Sequence, residues 1–225
     1  MQKFEIIQDL PRDAHVHMEI DRALVMDGNP SPRIRIYEWL SPVITAGIFS
    51  EPERLLDSER CRACRMEVVK RPTGGGVLFH DKDLVCAVFI PNATAVEPVC
   101  EAINAKVRAA LTPFLPELDA VPFIADTRSC RFCMAQTAAL DLICEGRKIG
   151  GCAQRKTRAG ILHHISIFLN KPDWETIASC VLHARDISTM QETSTSLEEL
   201  SSQPIDRQSV REAIVQQFEK EGVTP

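Results

Sequence analysis

Val68-Val69-Lys70-Arg71-Pro72-Thr73-Gly74-Gly75-Gly76-Val77-Leu78-Phe79-His80-Asp81 is the stretch on which the reading of this 225-residue chain turns. A β-branched run stops at a proline, and three successive glycines separate it from a second apolar run. Glycine has no Cβ, so such a loop reaches positive φ and lets a ligand approach the backbone. Its amides can hold carboxylate or phosphate oxygens. Arg71, just before the glycines, can add a charge-assisted contact to the same anion. A flexible turn explains an isolated glycine run equally well, so other segments must decide between the two.

Upstream, Met18, Ala23, Leu24 and Val25 predict a helix over about His15 to Asp27, ended by Gly28-Asn29-Pro30-Ser31-Pro32. Arg33 to Leu40 and Pro42 to Phe49 read as strands, Glu51 to Cys64 as a polar helix, and Met66 to Val69 as the strand entering the glycines. Downstream, Val77 to His80 and Leu84 to Ile90 read as a hairpin joined by Asp81-Lys82-Asp83. The clearest helix runs from Ala95 to Leu111, where Val96, Val99, Ile103, Val107, Ala110 and Leu111 recur at helical spacing. Leu140 to Cys144, Lys148 to Ala153 and Ile161 to Leu169 are further apolar runs, and a last helix is expected over Ser209 to Glu221. Strands broken by one long helix, without regular alternation, predict an α+β fold in a single domain.

Composition narrows the function. A net charge of −5 argues against a nucleic-acid grip, which needs clustered Lys and Arg. No apolar run is long enough for a signal peptide or a membrane span, so the expected location is cytoplasmic. Nine cysteines fit reduced thiols better than a disulfide framework. Cys61-x-x-Cys64 and Cys130-x-x-Cys133 have the ligand grouping of a four-cysteine zinc site, provided that folding brings the two distant pairs together.

Two more segments carry chemistry. In Glu145-Gly146-Arg147-Lys148-Ile149-Gly150-Gly151-Cys152-Ala153-Gln154, small residues leave room beside Lys148, whose ammonium could reach a bound anion; a solvated hairpin lysine is the plainer reading. Ile161 to Leu169 holds the pair His163-His164. Neighbouring strand residues face opposite sides, so at most one of the two points into any given pocket.

Together and in this order, these segments resemble the lipoate-protein ligase A/octanoyltransferase family, which shares its fold with biotin protein ligases. Met18-Glu19-Ile20-Asp21-Arg22-Ala23-Leu24 is similar to the family's opening helix, with Arg22 in place of an acid. Tyr37-Glu38-Trp39 and Ile44-Thr45-Ala46-Gly47-Ile48-Phe49 resemble its next strands. Lys70 to Gly76, followed by His80, resembles Arg-Arg-x-Thr-Gly-Gly-Gly, and Lys148 to Ala153 resembles Lys-(Val/Ile)-Ser-Gly-Ser-Ala. Ile187 to Leu200 is similar to the segment closing the catalytic domain.

The resemblance implies a mixed β-sheet flanked by helices, of the biotin/lipoate protein ligase-like (class II synthetase-like) type. It implies one catalytic domain over 1–225 without a C-terminal accessory domain. The acyl group would lie in an apolar tunnel, with Lys148 on its carbonyl or on an adenylate phosphate. Arg71, Thr73, Gly74, Gly75, Gly76, Phe79, His80, Gly151, Ala153, His163 and His164 are the implied acyl- or adenylate-binding positions. Gly150 and Cys152 replace the usual serines, and Ile165 stands where a glycine often follows the histidines, which should reshape the pocket.

Two mechanisms compete within the family. A ligase uses ATP and magnesium to make an acyl adenylate of lipoate or octanoate. A transferase carries octanoate on a cysteine without ATP, and Cys133 is the candidate, although Met134-Ala135-Gln136-Thr137 stands where Phe-Asp-Ala-Pro is usual. That mismatch makes the ligase the preferred reading from sequence. Outside both stands a non-catalytic acyl- or carrier-binding protein. The implied partners are lipoyl domains of 2-oxoacid dehydrogenases or an H-type glycine cleavage carrier, with no nucleic acid and no membrane.

Overall fold

A computed structural model describes residues 3–115, 118, 132–138, 140–201 and 203–220. In chain order the elements are β1 (Glu5–Gln8), α1 (Ala14–Met26), β2 (Arg33–Tyr37), β3 (Val43–Ala46), α2 (Ser58–Ala63), β4 (Glu67–Lys70), β5 (Val77–His80) and β6 (Leu84–Pro91). Then follow α3 (Val96–Leu111), β7 (Leu142–Cys144), β8 (Arg147–Lys156), β9 (Gly160–Ile167), α4 (Trp174–Cys180), α5 (Ala184–Thr193), α6 (Leu197–Leu200) and α7 (Arg207–Lys220).

The strands form a six-stranded sheet, ordered β1-β2-β6-β9-β8-β7, and a three-stranded one, β4-β3-β5. β1 runs parallel to β2 and β3 to β4, while the other pairs are antiparallel. Mixed sheets with flanking helices are the α+β architecture expected.

The larger sheet has two different faces, because side chains alternate along a strand. On one, Ile34, Ile36, Val88, Ile161 and Ile165 pack against Val99, Ile103 and Val107 of α3 and Val210, Ile214 and Phe218 of α7. Each of these apolar side chains contributes about 1.5–3 kcal/mol by leaving water. On the other, Tyr37, Val85, Ala87 and Leu162 meet Met18 and Leu24 of α1. This second face carries the site.

The hairpin expected between Val77 and Ile90 does not form. β5 pairs with β3, whereas β6 pairs with β2 and β9. All eight positions of β6 are buried, and a strand apolar on both faces gains most in the middle of a sheet, with both edges occupied. The expected helix over Glu51 to Cys64 is also broken, into a 3-10 turn, Pro52–Arg54, and α2. Leu55 ends the first, its amide donating to Pro52 O, and Asp57 caps the second by accepting from the amides of Glu59 and Arg60. No helix among the described residues is long and apolar enough to cross a membrane.

Candidate active site

The glycine loop is strapped to its neighbours through its own backbone. Arg71 N donates to Ala46 O at 2.9 Å, Gly47 N to Gly76 O at 3.1 Å and Ile48 N to Thr73 O at 3.0 Å. Gly74 N donates to Gln154 O of β8 at 3.2 Å, so this amide of the expected anion cradle is already engaged. Gly75 has φ of 88°, and a Cβ there would lie 2.7 Å from Arg71 Nη2. Gly47 is equally constrained, since its Cβ would sit 2.0 Å from Gly75 O. Gly47→Ala should therefore displace the loop at a cost of about 1–3 kcal/mol, the usual penalty for overfilling a packed site. A urea midpoint equal to wild type would contradict that close approach.

Arg71 turns back over the loop it precedes. Its Nε and Nη2 donate to Gly74 O at 3.1 and 2.7 Å, and its Nη1 donates to Thr45 O and Oγ1 at 3.3 and 3.0 Å. Nη2 also reaches Cys133 Sγ at 3.7 Å. Cys133 opens a 3-10 turn, Cys133–Ala135. Its carbonyl accepts from Lys148 Nζ at 2.8 Å. The same ammonium donates to Gln136 O at 3.1 Å and to Asp141 Oδ2 at 2.6 Å, which uses its three donors. Asp141 is buried and further accepts from Ala138 N at 2.7 Å and Cys152 N at 3.0 Å. Lys148 thus grips the turn that presents Cys133.

A second chain of contacts supports Arg71 from behind. Asp83 accepts from His80 Nδ1 at 2.6 Å and from the Ser166 hydroxyl. In a neutral ring this leaves His80 Nε2 to accept from the Thr45 hydroxyl at 2.8 Å, and Thr45 Oγ1 is the oxygen that accepts from Arg71. A third group lies under α1. Asp21 accepts from Arg35 Nη1 at 2.5 Å and from the Tyr37 hydroxyl at 2.9 Å. His164 Nε2 is 3.1 Å from Asp21 Oδ2, off the hydrogen-bonding direction, and its Nδ1 is 3.1 Å from Thr73 Oγ1. Burial opposes ionisation of Asp21, but His164, Arg35 and Tyr37 outweigh it and hold the carboxyl below its ordinary range.

These groups border a narrow, largely apolar cleft. Met18, Trp39, Leu78 and Val85 form apolar walls, and Arg71, His80, Cys133, Gly151, Ala153 and His164 border it. Folding therefore gathers most of the predicted positions at one place. Thr73 and the glycines stand beside it through the bonds already described. Phe79 turns elsewhere, stacking on Phe132 at 5.9 Å between ring centroids. Asp21, Thr45, Asp83 and Asp141 escaped the sequence reading because no spacing rule links them to their partners.

His163 points to the other face, as alternation requires. Its Nε2 meets Asn104 Oδ1 of α3 at 2.8 Å and its Nδ1 meets Gln154 Nε2 at 3.2 Å, a pairing that a neutral ring satisfies. Burial, reinforced by His164, pushes its pKa down to about 3. A folded-state pKa below the unfolded value of about 6.5 means stability that is complete above that value and falls as pH drops toward 3. Its loss should reach about 2 kcal/mol by pH 5. His163→Gln should flatten the acid limb of a urea-midpoint against pH curve by about that amount, and an unchanged limb would refute the assignment.

Ile165 shares this face and lies in the α3 core, so it neither narrows nor reshapes the cleft as expected. Gly150 has no room for a side chain, since a Cβ would lie 2.8 Å from Ser166 O and 3.0 Å from Leu142 Cδ1. Burial, and secondarily Asp141, raises the Cys152 pKa well above normal, which keeps that thiol protonated. Of the suggested zinc ligands, Cys61 and Cys64 turn towards Cys180, Cys133 faces Arg71, and Cys130 lies outside the described residues. Among the described residues no group of three or more His, Cys, Asp or Glu is arranged to hold a metal ion.

The mixed sheets, the strapped glycine loop and the buried lysine beside it define a catalytic domain of the biotin/lipoate protein ligase type, with the class II synthetase-like fold. The chain belongs to the lipoyl protein ligase A/B catalytic domain family, whose sequence profile matches residues 13–219, and it is an enzyme of the lipoate ligase/octanoyltransferase kind. An octanoyltransferase LipM of Geobacillus kaustophilus is 30% identical, the match covering 91% of this chain and 81% of that one. The structure of protein Ta0514 of T. acidophilum with bound lipoic acid superposes with a TM-score of 0.76 at 16% identity, covering 97% of this chain and 85% of that one. A lipoate-protein ligase A bound with ATP gives 0.76 at 17% identity, covering 97% and 84%. At such identities the two structures establish the fold.

Proposed function

We propose that this enzyme is a thiol-dependent octanoyltransferase with Cys133 as its nucleophile. The observation that carries this reading is the seat of Cys133: its Sγ borders the apolar cleft, 3.7 Å from Arg71 Nη2, while Lys148 holds its carbonyl. The guanidinium contact orients the sulfur at the edge of the cleft, where a bound acyl carbonyl would be open to its attack. The octanoyltransferase name of the Geobacillus relative supports the same choice over the ATP-dependent ligase that the residues around Cys133 favoured.

The reaction runs in two exchanges. Cys133 sulfur attacks the acyl carbonyl of a donor carrier; the C–S bond forms, the donor's bond to the carbonyl breaks, and the thiol proton leaves with the departing group. The acceptor lysine's amine then attacks the thioester. A C–N bond forms, the C–S bond breaks and the amine's proton returns the thiol. No ATP or metal enters either exchange. The acyl chain occupies the cleft walled by Met18, Trp39, Leu78 and Val85, where it leaves water. The acceptor proposed is the lysine of a lipoyl domain or of an H-type glycine cleavage carrier.

The test is an intact-mass experiment on the enzyme, an octanoyl thioester donor and an apo lipoyl domain, without ATP. An octanoyl adduct on the enzyme, lost in Cys133→Ala, followed by octanoylation of the domain, supports the transferase. Modification from free lipoate or octanoate only with ATP and magnesium, undiminished by Cys133→Ala, overturns it in favour of the ligase.

A further inference from the structure

Phe49 is 90% exposed, more than any other large apolar residue among those described. It is also tightly mounted. Gly47 N and Ile48 N bond to the glycine loop on one side, Ser50 N closes the turn on Gly47 O at 2.9 Å, and Lys70 Nζ clamps the carbonyl of Ser50. An aromatic ring held in water on a rigid turn forfeits burial at home and loses little freedom on binding, the combination found at anchors of protein interfaces.

Its surroundings carry a sign. The chain as a whole is acidic, at −5. Around the glycine loop, however, Lys70 and Arg155 are held on backbone oxygens, and further cations stand exposed. Lys70 holds Ser50 O, Arg155 Nη1 holds Pro72 O at 3.1 Å, and Lys156 and Arg158 stand exposed beyond Arg155 at the same end of β8. Of the nearby acids, Glu19 is matched by Arg22 and Glu51 by Arg54, and Glu53 stands exposed.

We infer that Phe49 and this basic rim form the docking surface for the acceptor carrier domain, which meets them with an acidic face bearing an apolar depression. The inference rests on the transferase reading only in naming the acceptor. The turn carrying Phe49 is bonded to the loop that holds Arg71, and Arg71 lies on Cys133, so a domain seated there lies beside the thiol its lysine must reach. Burying Phe49 accounts for roughly tenfold to a hundredfold in affinity, and the rim adds attraction that salt screens.

The experiment compares wild type, Phe49→Ala and Lys156→Glu/Arg158→Glu in three readouts: acylation of Cys133 by a small octanoyl thioester, the KM for an apo lipoyl domain, and direct binding of that domain at low and high salt. Phe49→Ala should leave acylation by the small thioester unchanged and raise both KM and Kd about tenfold or more. The charge-reversed variant should do likewise at low salt and lose the difference at high salt. Unchanged KM and Kd in both variants would overturn the docking surface. If wild type shows no adduct, the transferase reading fails, while the binding readout still decides the docking surface by the same criterion.

Discussion

Cys133→Ala should fold as wild type and transfer no octanoyl group. The residue is half-buried, and among the described residues its side chain makes one polar contact, to Arg71, so its truncation removes little packing. The chemistry responds differently. A covalent intermediate splits one difficult acyl transfer into two easier ones, and without the sulfur no atom of the turn can carry the acyl group. Turnover should fall by about 10³-fold or more, with the urea midpoint unchanged. Cys133→Ser should be nearly as inactive, because a hydroxyl is a far weaker nucleophile than a thiol and an oxygen ester passes its acyl group to an amine far more slowly than a thioester. Rapid ATP-independent transfer by either variant would remove Cys133 from the mechanism.

Lys148→Ala should damage both stability and catalysis, for one reason. The ammonium neutralises buried Asp141 and satisfies the carbonyls of Cys133 and Gln136. Removing it strands a carboxylate in the interior, at a cost of about 3–5 kcal/mol, and releases the turn that presents the thiol. The double variant Lys148→Met/Asp141→Leu separates the two effects. It should recover much of the lost stability, since apolar pairs replace buried ion pairs well, yet leave acylation of Cys133 by a small thioester strongly slowed. Recovery of both would reduce Lys148 to a structural prop. A direct role on the substrate carbonyl, as the family resemblance implied, requires that Lys148 first exchange one of its three present bonds.

Features that depend on near neighbours were readable in the chain. The periodicity of Val99, Ile103 and Val107 marked α3, and Val210, Ile214 and Phe218 marked α7, because helical contacts recur every three to four residues. Alternation at His163-His164 foretold that the two rings part, one to the cleft and one to Asn104. Pairing across distance was not readable. Leu84 to Ile90 could equally follow β5 in a hairpin or fill a sheet centre, and only the energy of covering both its faces and both its edges chose the second. Asp57 broke an expected helix because its side chain caps the next one, a preference that a polar run conceals.

The order of residues along the chain determined the family, the α+β class, the glycine loop with its arginine, and the candidacy of Lys148 and Cys133, since each is a matter of residue type at short spacing. Folding alone decided which of these groups act on one another. Arg71 and Cys133, sixty-two positions apart, meet at 3.7 Å, and Lys148 closes on Asp141 rather than on an open cleft. Such contacts depend on burial and on bringing distant strands together, and a charge excluded from water takes whichever partner the packed sheets set beside it.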